Sequence, residues 1–498
     1  MFISDPQTLT ISDRINSAFE PVVNFLENVF FWDPVKAVGI DIEANVPIVV
    51  LWLVFGGIFF TIRMKFVNLR AFRHAFALIR GKYDKPGSTG EVSHFQALTT
   101  ALSATVGLGN ITGVAIAIAV GGPGATFWMI IAGFFGMSLK FTECTLGIKY
   151  RHIDENGKVS GGPMYYLNMA LKKRRLGALG KVLALFSAVM MVLASFGGSN
   201  MLQSNQSFAQ FTTIFPAMES HGFWFGVLLS VLIGIVVIGG IRSIARVTSK
   251  LVPFMSVLYI GAALVIIFMN FSKIDDVFIL IIRSAFNPVA IKGGIIGVII
   301  TGFRRGAFSN EAGVGSAAVA HAAARTDEPV KEGIVAMLEP FIDTILICTM
   351  TSLVIIFTGF HEATATLEGT ELTSAAFESV FPWFPYLLVI AILCFAFSTM
   401  ISWSYYGLNG FKFLFDKYIF RFSGSRNLTS YIYYSIFLFF TIVGASSTLD
   451  NVIAFSDMMV LTLAFPNITG LLILAPEVAT DMKEYIRRYK AGLVKRYR

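Results

Sequence analysis

Val106-Gly107-Leu108-Gly109-Asn110-Ile111-Thr112-Gly113 stands inside one long apolar run, and Gly306-Ala307-Phe308-Ser309-Asn310-Glu311-Ala312-Gly313 stands inside another, 200 residues later. Asn and Gly recur at the same spacing in both. Glycine costs about 1 kcal/mol in a helix interior relative to alanine. The first stretch holds Gly107, Gly109 and Gly113, and the second is flanked by Gly302, Gly306, Gly313 and Gly315. Close packing through small residues accounts for Gly113 or Gly315. It does not account for Asn110, Ser309, Asn310 and Glu311, because in lipid each polar side chain needs a partner. The combination predicts local unwinding at Gly107–Asn110 and Gly306–Asn310. Unwound backbone frees carbonyls for a cation and N–H groups for a carboxylate. A half-helix N-terminus adds a favourable dipole. An amino-acid zwitterion needs both sets of groups.

The rest of the chain places these stretches in a membrane. Of 498 residues, 55% are hydrophobic and 14% charged. Mean hydropathy is +0.70. Apolar runs of about 20 residues recur throughout. They lie near 45–63, 95–120, 124–148, 180–208, 223–240, 251–271, 290–320, 333–358, 384–411, 429–448 and 453–474, which makes eleven. Lys and Arg concentrate in alternate connections, with 31 of the 39 on one side and five on the other. The loop 359–383 has four acidic residues and no basic one. By the positive-inside bias the N-terminus is outside and the C-terminus cytoplasmic, which requires an odd number of spans. The net charge of +8 therefore reflects loop bias and lipid, not nucleic acid. Cys144, Cys348 and Cys394 all lie in apolar runs and read as small hydrophobes.

Five spans separate the two Asn/Gly stretches, so a five-span unit repeated once has inverted topology. That is a recurring transporter architecture with its substrate site near the bilayer midplane, at the repeat interface. The expected organisation is an external segment 1–44, an extra span and basic loop 45–94, repeats 95–271 and 272–475, and a basic cytoplasmic tail 476–498. Residues 11–32 form either a surface amphipathic helix or a loosely packed terminal helix. The N-terminus lacks the pattern of a cleavable signal peptide.

Other polar residues within spans fall around the expected breaks. Asn200 and Gln203 share a helix face and read either as ligands or as inter-helix hydrogen bonds. The ninth span carries Ser398, Thr399, Ser402 and Ser404, and two adjacent hydroxyls with exposed carbonyls, as at Ser398 and Thr399, suit a hard monovalent cation. Ionisable residues within spans are functional candidates. An ion pair with Glu311 is the simplest account of Arg304 and Arg305. Lys140 and Glu143 read as a structural pair, and Glu339 with Asp343 as gating or structural groups.

These strings resemble the alanine or glycine:cation symporter family along nearly the whole chain. The resemblance rests on Gly162-Pro163-Met164-Tyr165-Tyr166, Arg304-Arg305-Gly306 with Phe308 to Gly313, and Ala320-His321-Ala322-Ala323. Phe397-Ser398-Thr399 with Trp403-Ser404-Tyr405-Tyr406-Gly407 reinforces it. It implies an all-α membrane protein with the ten-helix inverted-repeat fold of the bacterial leucine transporter and one extra N-terminal helix. It also implies sodium as coupling ion, held near Ser103, Val106 and Phe395 by carbonyls and at Ser398 and Thr399 by hydroxyls. The substrate carboxylate would meet amides around Gly107 and Gly109. Asn200 and Gln203 would approach the zwitterion, and Phe308 and Trp403 would cap its side chain. Thr105, Asn110, Ser309, Asn310 and Thr399 complete the implied substrate set. Two aromatics at one pocket fit alanine or glycine, although some relatives are thought to take glutamine.

Other function classes fit less well. A channel needs pore symmetry or a repeated filter, and neither is visible. No His-Glu-x-x-His pattern or nucleotide-binding Gly-x-x-x-x-Gly-Lys-[Ser/Thr] motif occurs. No cofactor is called for, and His321, at a membrane edge, reads as structural.

Overall fold

The computed structural model describes residues 27–39, 45–155, 157–286, 294–364, 369–425, 427–446 and 458–497, with Pro21, Asn24, Phe25 and Leu367 besides. Of the expected N-terminal helix over 11–32, residues 11–20 lie outside the described residues. Thirteen helical elements carry the architecture. They are α1 (Ile48–Arg63), α2 (His94–Thr105), α3 (Thr112–Gly121), α4 (Ala125–Lys149), α5 (Gly177–Ile214), α6 (Pro216–Val237) and α7 (Gly240–Met269). Then follow α8 (Gly294–Asn310), α9 (Ala317–Ala322), α10 (Pro329–Phe357), α11 (Phe384–Ser423), α12 (Leu428–Ala445) and α13 (Met458–Lys490).

Eight of these, α4 to α7 and α10 to α13, are long and apolar enough to cross a membrane. The pair α2 and α3, bent by 62° at its break, makes a ninth. The remaining two expected spans hold α1 and the interrupted pair α8 and α9. Each expected span thus holds helix among its described residues. The spacing of the sequence underestimates three of these spans, the first being α7, which begins at Gly240 and not near 251. α11 runs on to Ser423, and α13 continues through the basic tail to Lys490. That tail is tied down by Arg488, whose guanidinium meets Glu328 at 2.9 Å.

Local chemistry explains where the two broken helices begin and end. Ser93 and Gln96 form a capping box at the start of α2, each side chain serving the other's backbone N–H. Val92, just before α2, pairs as a parallel backbone bridge with Ala324, just after α9. The Arg151 guanidinium donates to the carbonyls of Thr89, Ala322, Ala324 and Thr326 at 2.7–3.0 Å. Arg151 lies two residues past the end of α4, so the ends of three helices are pinned at one point. On the periphery, α6 exposes Phe223, Trp224, Leu228, Val231 and Ile235, an apolar face suited to acyl chains.

Candidate functional site

At the first break α2 makes its last backbone bond from Val106 to Leu102, and Val106 turns extended. A single tight turn, Leu108–Asn110, separates it from α3. The Asn110 side-chain oxygen accepts the freed Gly107 N–H at 2.8 Å. This is why asparagine accompanies glycine here: it satisfies a donor that the helix has released. A Cβ on Gly107 would stand 2.9 Å from Thr399 Oγ1 and 3.6 Å from Gln203 Oε1. Gly107 is therefore required by the close approach of α11 and α5. Gly113, by contrast, would meet nothing within 4 Å, so close packing does not account for it.

The second break lies later than expected. α8 stays helical through Gly306, Ser309 and Asn310, and the interruption falls at residues 311–316. Gly306 is a packing residue, since its Cβ would come 2.9 Å from that of Ala132 on α4. The chain turns instead on left-handed residues: Glu311 at φ +53, Gly313 at +88 and Gly315 at +87. A non-glycine residue at that φ is held by its surroundings. The Trp403 indole donates to Glu311 Oε1 at 3.2 Å and Ser316 Oγ to Oε2 at 2.6 Å. The expected ion pair of Glu311 with Arg304 or Arg305 is not formed. The Arg304 guanidinium lies over the Phe31 ring. Asn310 repeats the device of Asn110, accepting the Ala312 N–H at 2.9 Å and donating to Thr344 Oγ1 at 3.0 Å.

One carboxylate joins the two breaks. Asp343 lies on a π-helical segment of α10, Phe341–Cys348, a rare geometry that recurs at functional sites. Its Oδ1 accepts from Asn110 Nδ2 at 2.7 Å. Its Oδ2 accepts from Ser309 Oγ at 2.6 Å and Thr344 Oγ1 at 2.8 Å. Asn110 also reaches Ser309 Oγ at 3.2 Å, and Thr351 donates to the Asn110 carbonyl at 2.9 Å. Asp343 was absent from the expected site set. An acidic residue in an apolar run marked it as functional, but only the fold could separate it from Glu339, which pairs with Lys140 at 2.8 Å.

Where α2 crosses α11, oxygen atoms gather. Thr399 Oγ1 donates to the Ser103 carbonyl at 3.0 Å. Ser103 Oγ donates to the Ser398 carbonyl at 2.7 Å and meets Ser402 Oγ at 2.6 Å. Ser398 Oγ donates to the Phe395 carbonyl at 2.9 Å. Ser103, Ser398, Thr399 and Phe395 are thus brought together, with buried Val106 one turn along α2. Ser402 joins them although it was not in the expected set. All the donors are neutral oxygens, which fits a hard monovalent cation.

The remaining expected residues divide. Phe308 and Ser309 face Gly109, within 3.8 Å of where its Cβ would be. Gln203 lies beside Gly107, and its buried Oε1 has no hydrogen-bond partner among the described residues. Thr105 bonds back into α2 at 3.4 Å. Asn200 is used differently. It donates to the Phe437 carbonyl at 2.7 Å and accepts from Thr441 at 2.8 Å. Its amide therefore serves as the inter-helix bond between α5 and α12, on the π turn Gly197–Met201.

Comparison with known proteins gives this geometry a family. A family model described as "Sodium:alanine symporter family" matches residues 36–498. "Sodium/alanine symporter AgcS" of Methanococcus maripaludis is 40% identical over 457 residues, 89% of this chain and 96% of that protein. "Probable sodium/glutamine symporter GlnT" of Bacillus subtilis is 36% identical over 449 residues, 89% of each chain. A crystal structure of MhsT in complex with L-phenylalanine superposes with a TM-score of 0.53 at 15% identity, covering 80% of this chain and 99% of that one. At that identity the likeness concerns the fold alone, and it agrees with the leucine-transporter-like architecture expected from the sequence.

Proposed function

The chain belongs to the sodium:alanine symporter family, and from that premise we propose that it imports alanine or glycine together with sodium by alternating access. It is a multi-span membrane transporter and not an enzyme. The observation that supports the coupled reading most is the meeting of the first break with α11. There the unwound Gly107 backbone, the Thr399 hydroxyl and the free acceptor of Gln203 lie within one van der Waals shell. The oxygens of Ser103, Phe395, Ser398 and Thr399, with the Val106 carbonyl, would hold sodium. With the Gly107 N–H held by Asn110, the Leu108 and Gly109 amides beside it would take the substrate carboxylate, and Gln203 Oε1 would accept from its ammonium group. Thr105, Asn110, Ser309 and Asn310 shape that pocket from the two breaks, with Asp343 anchoring Asn110 and Ser309. Phe308 and Trp403 bound the space left for the side chain, which favours a methyl group or hydrogen.

In this reading the protein lies in the cell membrane, the inner membrane where there are two, with its N-terminus outside and C-terminus cytoplasmic. Repeats 95–271 and 272–475 exchange conformations around the fixed site. A second reading, the same chemistry with glutamine as cargo, is favoured by the similarity to GlnT. Purified protein in liposomes, given labelled alanine, glycine or glutamine under an inward sodium gradient, tests both. We expect sodium-dependent uptake of alanine or glycine above that of glutamine. Uptake indifferent to sodium, or driven equally by a proton gradient, would defeat the coupling.

A further inference from the structure

A second group of buried ionisable residues takes no part in the site above. Glu332, on α10, is fully buried. Its Oε2 meets Nδ1 of His94, the first residue of α2, and its Oε1 meets Nδ1 of His321, on α9, at 2.5 Å. One carboxylate therefore bridges the halves of the two broken helices that lie on the side of the basic loops. Each imidazole also turns its other nitrogen toward a second carboxylate. His94 Nε2 lies 3.6 Å from Asp84 Oδ1, and His321 Nε2 lies 4.0 Å from Glu339 Oε2. Asp84 Oδ1, His321 Nε2 and Glu339 Oε2 are all buried and make no hydrogen bond among the described residues. Around the triad stand Lys331 on α10, Arg151 just past the end of α4, and Lys140, which holds the other oxygen of Glu339 and lies 3.8 Å from Glu143. No His, Cys, Asp and Glu group among the described residues has the arrangement of a metal site.

The geometry fits a different ligand. A neutral imidazole has one N–H and can donate to one carboxylate; an imidazolium has two and can donate to both of its neighbours. Here each ring stands between two carboxylates, and the outer acceptor of each is waiting. We infer that Glu332, His94 and His321 form a proton-binding site, reached from the side of Asp84. Bound protons hold α2 and α9 to α10 and slow their separation. This rests on the transport reading, because separation of these half-helices is what opens the substrate site to the side of the basic loops. The proton is not carried: it sets the rate.

The test uses reconstituted full-length protein with the same pH on both faces, so that no proton gradient contributes. Initial rates of sodium-driven alanine uptake are measured at about pH 8.5 and about pH 5.5, a span wide enough for imidazoles flanked by carboxylates, which favour the charged form. The wild-type rate should fall roughly threefold to tenfold at the lower pH, as two imidazole–carboxylate hydrogen bonds become imidazolium–carboxylate ion pairs. The double variant His94→Asn/His321→Asn keeps a donor where each Nδ1 stood but takes no proton, and its rate should hold within about twofold. A wild-type rate indifferent to pH, or a double variant that keeps the full fall, overturns the inference. Should the double variant not fold, each single variant should show a reduced fall, and a full fall in either has the same force. Amide exchange of α2 and α9, corrected for intrinsic rates, provides a readout independent of transport. Protection should rise at the lower pH in wild type and not in the variants. Unchanged protection sinks the proton site, whereas absent uptake at the higher pH with changed protection sinks only the transport reading.

Discussion

Gly107→Ala probes the contact on which the site depends. The added Cβ would stand 2.9 Å from Thr399 Oγ1 and 3.6–3.8 Å from the Gln203 amide. Thr399 cannot swing aside freely, because its hydroxyl donates to the Ser103 carbonyl at 3.0 Å and its side chain is buried. Overpacking of this kind costs about 1–3 kcal/mol, or roughly fivefold to 150-fold in an equilibrium constant. The cost falls on the joint between α2 and α11, so it should appear in ligand affinity before it appears in folding. We expect the half-saturating sodium concentration and the alanine dissociation constant to rise by that factor while the protein still elutes as wild type. Gly113→Ala supplies the contrast. Its Cβ meets nothing within 4 Å, and alanine is favoured over glycine within a helix by about 1 kcal/mol. That variant should transport normally and melt no lower than wild type. Wild-type sodium and alanine affinity in Gly107→Ala would refute the close approach. Equal losses in both variants would reduce the effect to generic helix stiffening.

Three further outcomes are expected. Thr399→Ala should raise the half-saturating sodium concentration roughly threefold to tenfold, the worth of one hydroxyl contact; an unchanged sodium dependence moves the ion elsewhere. Gln203→Ala should weaken alanine binding roughly tenfold to a hundredfold with the fold intact, as for one hydrogen bond to a charged group; wild-type affinity returns Gln203 to helix packing. His74, on the helix Phe72–Ile79 outside the spans, bonds the Tyr485 hydroxyl at 2.7 Å. Burial, assisted by the charges of Lys331 and Arg496, lowers its pKa from 6.5 to about 4. Below 6.5 the unfolded chain takes up a proton that the folded chain refuses, so this contribution to stability is whole above 6.5 and is lost as pH falls toward 4. His74→Phe should therefore flatten the fall of Tm with acidification, and an unaltered slope would contradict the assignment.

Much of the fold was legible because a bilayer leaves few options. Apolar length marked the spans, and the Asn/Gly pairs marked the first interruption in place and the second several residues too early. What the pattern could not resolve was register in three dimensions. Gly306 and Gly313 look alike in sequence, yet one packs against Ala132 and the other turns the chain. Asn200 and Gln203 share a helix face, but a π turn directs Asn200 toward α12 and leaves Gln203 at Gly107. Spacing assumes 3.6 residues per turn, and a π turn breaks that assumption. Asp343 suffered from the same cause, lying within a π segment that alters its phase relative to Glu339. The partner of a buried charge is a long-range fact, and no local pattern holds it.

The Asp343 junction also constrains how the protein is made. Asn110 and Asp343 are 233 residues apart in sequence. At a synthesis rate of about 5–20 residues per second, roughly ten to fifty seconds pass between the emergence of one and the other. Throughout that interval the nascent first half carries an unwound, polar segment whose lasting partner has not yet been translated. Until Asp343 follows, those polar groups must find their partners among water and the segments already made, because lipid offers none.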